Sequence, residues 1–116
     1  MAGRSLLEGD LVKYMIEYEV RNAGLSHDQN FANQEALINA FSKWKPEEGL
    51  TIHAFLGNLA NGGYVLVEAA EPGVVQSFVS KFIYWNDVEV VPVVDVAEAV
   101  TTAAESLAWA RAASSG

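Results

Sequence analysis

Residues 84–96 read YWNDVEVVPVVDV, and this valine-rich stretch decides the fold of the chain. Valine is typical of β-strands, but a strand with one face in water alternates apolar and polar residues, and this stretch hardly alternates. Pro92 lacks the backbone N–H that a central strand would use, so we expect this strand at the edge of a sheet. The stretch therefore predicts an edge strand that is covered on both of its faces.

The first half of the chain predicts a strand followed by a helix. Residues 11–21 (LVKYMIEYEVR) alternate with the period of two that a strand requires. Ser26 and Gln29 have the spacing of a capping box, which predicts that a helix begins there. Pro46 ends that helix, because a proline ring cannot continue it.

The second half repeats the pattern after a hairpin. A strand is predicted within residues 47–59 (EEGLTIHAFLGNL) and another over residues 64–70 (YVLVEAA). The Asn-Gly-Gly run at 61–63 predicts the turn between them, because these residues accept positive φ at little cost. Pro72 suits the first turn of a second helix, and the valine-rich strand follows that helix.

Residues 97–113 (AEAVTTAAESLAWARAA) predict a third helix at the surface of the domain. We expect it to direct three of its apolar side chains inward: Val100, Ala104 and Leu107. The complete order of elements is that of the ferredoxin-like split βαβ unit, with an added C-terminal helix. The expected fold class is therefore α+β, with a four-stranded antiparallel sheet ordered four, one, three, two.

The length of the chain suits one domain, which we place at residues 11–113. Residues 1–10 are expected to be a disordered leader and residues 114–116 a disordered tail.

Two helices packed on the sheet can cover only one of its faces. On that face we expect alternate apolar residues of the first three strands: Tyr14, Ile16, Tyr18, Val20, Ile52, Ala54, Leu56, Val65 and Val67. On the other face we expect five large apolar side chains among charged ones: Met15, Phe55, Leu66, Val91 and Val93. Left in water they would form a patch of a kind that soluble monomers rarely expose. A second copy, packed sheet against sheet, is the simplest cover, so we expect a homodimer.

The composition bounds the class of function. The formal charge of −8 disfavours nucleic acid and anionic membrane surfaces as partners. The absence of cysteine excludes disulfides, thiolate nucleophiles and cysteine-bound zinc. The chain starts without the apolar core of a signal peptide, and its apolar runs fall short of the roughly 20 residues of a membrane span. We expect a cytoplasmic protein.

Several segments within residues 13–109 resemble a known family. They are KYMIEYEVR, FSKWKPEEGLTIHAFLG, GGYVLVE and FVSKFIYWNDVEVVPVVDVAEAV. They are similar to a bacterial family of small proteins, a domain of unknown function (DUF3303), in the dimeric α/β-barrel superfamily. The resemblance implies ferredoxin-like subunits that pair sheet to sheet. It implies no reaction, because that superfamily includes monooxygenases, haem-handling enzymes, isomerases and inactive relatives.

His53 is the strongest single candidate for chemistry. We expect it on the face without helices, where Glu17 and Glu68 are carboxylates within reach. A histidine paired with a carboxylate is a serviceable general base near neutral pH. If the protein is catalytic, His53 acts as the base and Glu17 orients it. The alternative, and the commoner role for such a residue, is a histidine that is hydrogen-bonded for structure at an interface.

Tyr64, Trp85 and Asn86 are the candidate ligand-binding residues. Aromatic and amide side chains at one end of a sheet suit a pocket for a flat organic molecule. The alternative is structural, with Asn86 holding a turn and Trp85 closing the end of the core.

We expect neither a metal nor a cofactor. The acidic residues lack the spacing of a calcium loop, which argues against a cation site. Haem is a minor alternative, for which His53 would be the axial ligand.

The leading hypothesis is a homodimer that binds a small organic molecule between sheet and helices, with or without cofactor-independent catalysis of the monooxygenase or isomerase kind. The alternative is a non-catalytic assembly or interaction module. A cavity beneath the helices would favour the first hypothesis, and a filled core the second.

Overall fold

The computed structural model of the protein describes residues 10–115. In chain order the elements are β1 (Val12–Val20), α1 (His27–Lys43), β2 (Thr51–Gly57), β3 (Gly62–Ala69), α2 (Pro72–Phe82), β4 (Asn86–Val93) and α3 (Val96–Ser114). Apart from Asp10, the expected leader lies outside the described residues, and so does Gly116 of the expected tail. Ser114 belongs to the last turn of α3.

The four strands form one antiparallel sheet in the order β2-β3-β1-β4. Strand β1 is central, because it pairs with β3 on one side and with β4 on the other. This confirms the α+β, ferredoxin-like fold that the order of elements predicts, with α3 added at the C-terminus. Strand β4 lies at an edge, where Pro92 stands opposite Tyr14, as a residue without an N–H requires.

The core lies between the sheet and helix α2. Its buried residues alternate along β1 and β3 and are three apart on α2: Tyr14, Ile16, Val65, Val67, Ala69, Val75 and Phe78. Val65 and Val67 are only 1% and 0% exposed, because β3 has a strand on each side and α2 above it. Burying one such side chain contributes roughly 1.5–3 kcal/mol, so β3 and α2 carry much of the stability.

Helix α1 begins where the sequence predicts. The Ser26 hydroxyl accepts a hydrogen bond from the backbone N–H of Gln29 at 3.1 Å, and the Gln29 side chain accepts one from the backbone N–H of Ser26 at 2.8 Å. These two bonds make the predicted capping box. No residue of α1 is buried, however, so the helix packs on the domain without entering its core.

Trp44 and Glu47 fasten the C-terminal end of α1 to α2. The Trp44 ring stacks on Phe78 with the centroids 4.8 Å apart, and its indole N–H donates to Glu47 at 3.0 Å. Lys81 of α2 donates to the other carboxylate oxygen of Glu47. Burial raises the pKa of Glu47, but the hydrogen bonds from Lys81 and Trp44 outweigh it and hold the pKa below its usual value.

A β-bulge in β2 changes which side chains face the helices. Ile52 stands opposite Val67 and Ala54 stands opposite Leu66, so His53 is an extra residue between them. From that point onward the alternation of faces along β2 is reversed, since the side chains of a strand have a period of two.

Phe55 consequently lies on the face that the helices cover, with its ring centroid 5.5 Å from that of Phe41 in α1. Ala54 and Leu56 lie on the opposite face. The prediction placed all three on the wrong faces, because a simple alternation cannot anticipate an inserted residue.

The glycines after the hairpin act through their small size. Leu59 has the left-handed conformation in the turn, with a φ of 71°, whereas Gly62 and Gly63 are the first residues of β3. A Cβ on Gly63 would lie 1.9 Å from the carbonyl oxygen of Leu56, so a larger residue does not fit. The positive φ predicted at 61–63 is wrong, because these residues already lead into the strand.

Helix α3 is not packed on the rest of the described chain. Val100 and Leu107 are 61% and 57% exposed, and Ala104 is exposed as well. The prediction that they face inward is wrong, because α1 and α2 already occupy the covered face of the sheet.

We call the other side of the sheet the open face, because none of the described helices covers it. The strand register, together with the contact of His53 with Glu68, defines its residues: Lys13, Met15, Glu17, Glu19, His53, Ala54, Leu56, Tyr64, Leu66, Glu68, Asp87, Glu89, Val91 and Val93. Val91 is 45% exposed, while Met15 and Leu66 are half-buried by their neighbours in the sheet.

Replacing Glu47 by Gln should weaken the fold at neutral pH. The lowered pKa means that the ionised carboxylate stabilises the fold above the ordinary value of 4.5, and that this contribution disappears as the pH falls through the lowered pKa. We expect Glu47→Gln to cost about 1 kcal/mol at neutral pH and almost nothing in strong acid. Urea unfolding at both pH values measures this. The exposed neighbour Glu48 provides the control, and an equal loss in Glu48→Gln would contradict the assignment.

Replacing Gly63 by Ala should destabilise the protein by about 2 kcal/mol or more, because the new methyl group overlaps the backbone of β2. Gly57 is the matched control, since a Cβ there would meet its nearest atom at 3.9 Å. We expect Gly57→Ala to stay within about 1 kcal/mol of the wild type in thermal unfolding. Similar midpoints for the two variants would show that the close approach at Gly63 is not tight.

Candidate functional site

An apolar cavity of about 540 Å³ separates the sheet from helices α1 and α2. The side chains around it come from the sheet and from both helices, and they include Ile16, Tyr18, Val65 and Val88 from the sheet, Leu37 and Phe41 from α1, and Val79 and Phe82 from α2. The cavity exists because α1 is fastened at its C-terminal end, while Ile38, farther up the helix, is 63% exposed. The middle of α1 therefore stands off from the sheet.

Aromatic rings form one side of this cavity. The rings of Phe41 and Phe55 meet edge to face with centroids 5.5 Å apart, and Phe41 lies 6.1 Å from Phe82. Contacts of this geometry are favourable and hold the rings in place. Phe41 and Phe55 are also partly exposed, so the cavity opens to solvent beside them.

Asn86 is the buried polar residue at the cavity, with 4% of its surface exposed. Its side-chain N–H donates to the carbonyl oxygen of Phe82 at 3.0 Å. Its Oδ1 atom is buried and has no hydrogen-bond partner among the described residues. An unpaired buried acceptor costs about 1–3 kcal/mol, so this oxygen is a position where a hydrogen-bond donor would stabilise the protein.

Tyr18 supplies the second polar group of the cavity. Its hydroxyl donates to the carbonyl oxygen of Leu56 at 3.2 Å. Burial raises the pKa of Tyr18, so the phenol stays neutral across the physiological pH range. The residues that line the cavity carry no charged side chain, and the site therefore suits a neutral molecule.

His53 lies on the opposite side of the sheet from this cavity. Its Nε2 atom is 2.8 Å from a carboxylate oxygen of Glu68, across the bulge between β2 and β3. The register places Glu17 beside Tyr64 and Glu89 instead. The structure thus pairs His53 with Glu68 and does not bring Glu17 to it.

The residues expected to bind a ligand also lie in different places. Asn86 lines the cavity, whereas Tyr64 lies on the open face. Trp85 is half-buried between α2 and β4, with its ring centroid 6.4 Å from that of Tyr84. Neighbouring residues of a strand lie on opposite faces of the sheet. The expected ligand-binding residues come from different strands and positions, so they are divided between the two faces.

Sequence reasoning left open whether this space is a ligand site or a core filled by side chains such as Tyr18 and Phe82. Their spacing is the same for a filled core and for a hollow one, so periodicity could not separate the two. The available signal was the apolar stripe of α1, which Gln34 interrupts. A helix with such a weak stripe packs less closely on a sheet.

Two further kinds of site can be assessed for the described residues. Among residues 10–115, no group of three or more histidine and acidic side chains is placed to hold a metal ion. No helix in the same range combines the length and the apolar character needed to cross a membrane.

The described chain is therefore a ferredoxin-like α+β domain with an apolar cavity beneath its helices. It belongs to the family described as a domain of unknown function (DUF3303), which matches residues 12–107. A comparison with curated proteins finds no match.

Among solved structures, the chain is similar to the solution structure of a hypothetical Arabidopsis thaliana protein. The two share 14% identity, with a TM-score of 0.34, over 72% of this chain and 87% of the other. A likeness at this level carries no argument about function.

Proposed function

We propose that this protein is a homodimer that binds a small, neutral organic molecule in the cavity between the sheet and helices α1 and α2. The observation that carries the proposal is the unpaired Oδ1 atom of Asn86, buried beside a cavity with otherwise apolar walls. Natural cores rarely leave such an acceptor unpaired, because its lost hydration is not replaced. Because this oxygen has almost no accessible surface, a donor on a bound ligand would reach it once the Asn86 side chain turns toward the cavity.

The size and the lining of the cavity restrict the class of ligand further. A volume of about 540 Å³ falls within the range of small-molecule sites, which is roughly 300–1,000 Å³. Aromatic side chains such as Phe41 and Phe82 favour a flat ring system. We therefore propose an aromatic or similarly flat molecule with one hydroxyl or N–H group at its edge, directed at Asn86.

Catalysis in the cavity would have to use groups other than those expected from the sequence. His53 and Glu17 lie on the open face, so neither reaches a molecule under the helices. Tyr18 is the titratable side chain at the cavity, and its raised pKa suits a hydrogen-bond donor better than a base. Binding is therefore the core of the proposal, and cofactor-independent catalysis stays a prediction.

The expected absence of a cofactor, with haem as a minor alternative, and the cellular location also stay predictions. A haem iron would need His53 as its axial ligand, and His53 is hydrogen-bonded to Glu68 on the face away from the cavity. Cytoplasmic location rests on the sequence alone.

The homodimer is proposed from the open face. Its centre carries large apolar side chains from all four strands: Met15, Leu56, Leu66, Val91 and Val93. Burying each of them contributes roughly 1.5–3 kcal/mol before the cost of association is subtracted. A second copy packed on this face would cover the apolar side of strand β4 that the helices leave exposed.

An interaction module without a ligand is the second candidate function. Its support is the exposure of the open face together with that of helix α3, because surfaces of this kind mark binding to other proteins. The two candidates differ in whether the cavity takes up a small molecule.

Ligand binding can be tested with naphthol and naphthalene, which differ only in the hydroxyl donor. We expect naphthol to bind the wild-type protein about tenfold more tightly, as one hydrogen bond worth about 1.4 kcal/mol requires. Asn86→Leu should remove that preference while naphthalene still binds. Isothermal titration calorimetry measures both affinities, and thermal unfolding checks that the variant is folded.

Two control variants sharpen this test. His53→Ala should leave both affinities unchanged, whereas Val79→Trp should fill the cavity and weaken both compounds. If the wild-type protein binds neither compound, the proposed cavity site is wrong. If Asn86→Leu keeps the preference for naphthol, Asn86 is not the acceptor.

The proposed dimer can be tested by reversing the polarity of the open face. Val91→Glu places a charge within the apolar centre and should convert dimers to monomers, because an unpaired buried charge is costly. Val93→Lys should act in the same way. Leu25→Glu, in the exposed loop before α1, is the control and should remain dimeric. Light scattering coupled to size-exclusion chromatography gives the mass, and a dimeric Val91→Glu protein would contradict the proposal.

A further inference from the structure

Helix α3 is a long element that the rest of the described chain leaves uncovered. It runs from Val96 to Ser114, and all 19 of its residues are exposed. At 1.5 Å per residue the helix is about 28 Å long, as long as the strands of the sheet. Most helical stability in proteins comes from the packing of an apolar face, and residues 10–95 supply no such packing for α3. A cover for α3 is therefore expected.

One side of α3 has the pattern of a helix that packs. Val96, Val100 and Leu107 follow one another at spacings of four and seven residues, with Ala103 and Ala110 between and after them. These five residues are called the α3 stripe. Its three large members are 79%, 61% and 57% exposed. The acidic residues of the helix lie on the opposite side, as they would if the stripe faced a partner.

The start of α3 is tied to the open face of the sheet. Lys13, which lies on that face opposite Val93, donates to the Asp95 carboxylate at 2.7 Å. Asp95 is the residue that immediately precedes α3. The α3 stripe therefore begins at the border of the open face. A partner that covers the open face is in position to reach the stripe as well.

The areas of the two surfaces indicate that a single partner covers both. A helix about 28 Å long and 10 Å wide presents roughly 300 Å². Four strands about 4.8 Å apart and eight residues long present roughly 500 Å². A stable interface buries about 800 Å² on each partner, so neither surface is sufficient alone and their sum is sufficient.

We infer that α3 is an exchanged arm, which packs its stripe on the second copy of this chain within the same interface that covers the open face. The inference rests on the proposed dimer and extends it by a second element. A second copy is the occupant that fits best, because each copy offers both an arm and an open face. A two-fold pair then covers all four surfaces without another protein.

A matched pair of single substitutions tests the arm. Val100→Asp introduces a charge within the α3 stripe. Thr102→Asp introduces the same charge two residues later, about 200° around the helix. Both variants keep the open face and the cavity intact. We expect Val100→Asp to raise the dimer dissociation constant by at least about 100-fold, and Thr102→Asp to change it by less than about threefold, measured by analytical ultracentrifugation.

Hydrogen exchange of the α3 amides gives a second, independent readout. In the wild-type dimer these amides should exchange more slowly than in a free helical peptide, and in Val100→Asp they should exchange at the peptide rate. Protection of α3 in Thr102→Asp should equal that in the wild type.

The outcomes separate the arm from the dimer itself. A dimer that is lost in Val91→Glu but kept in Val100→Asp, with α3 unprotected throughout, overturns the arm and leaves the sheet-face dimer standing. A wild-type protein that is monomeric at all concentrations overturns both. A dimer that is lost in Val100→Asp and kept in Thr102→Asp supports the arm.

Discussion

A single extra residue in β2 determines what each side of this sheet carries. The bulge at His53 reverses the alternation of faces, so that Phe55 joins the helices and Leu56 joins the open face. If the register continued without the bulge, the cavity would lose one of its aromatic walls, and the open face would gain a phenylalanine opposite Tyr64. The bulge also directs His53 toward Glu68, whose carboxylate pairs with the Nε2 atom of the imidazole ring. The aromatic wall of the cavity, the composition of the open face and the pairing of His53 with Glu68 thus all follow from the bulge.

The cavity follows from how α1 is held. Trp44 and Glu47 bind its C-terminal end to α2 through a ring stack, an indole hydrogen bond and an ion pair with Lys81. No comparable contact of the described residues holds the middle of the helix, where Gln34 interrupts the apolar stripe and Ile38, at the edge of the cavity, is 63% exposed. A helix that is held at one end in this manner leaves room above the sheet.

The charges of the chain bear on its partners. The open face combines an apolar centre with Glu17, Glu19 and Glu89, so two such faces can approach only where the carboxylates stay hydrated at the rim. Helix α3 keeps its acids Glu98 and Glu105 on the side away from its stripe, while Arg111 lies beside the stripe. In the proposed dimer, the apolar area of such an arm would offset part of the repulsion that a net charge of −8 on each copy causes.

The sequence by itself determined the order of elements, the sheet topology, the capping box at Ser26 and the edge position of Pro92. The elements, the cap and the edge position depend on residues near one another in the chain, through period-two alternation, helix caps and the missing N–H of proline. The sheet topology followed from the order of the elements, which is that of the split βαβ unit. Of the candidate site residues, Asn86 was brought to the cavity, while His53, Glu17 and Tyr64 were placed on the open face.

Only the tertiary structure decided the bulge, the hollow beneath α1 and the isolation of α3. Each of these depends on how distant segments meet: an inserted residue shows itself only against a partner strand, and a void only when all its walls are in place. A stripe of apolar residues on a helix has the same sequence pattern whether the stripe packs on its own subunit or on another one. The physical reason is that local patterns report which side chains need burial, and packing alone determines what buries them.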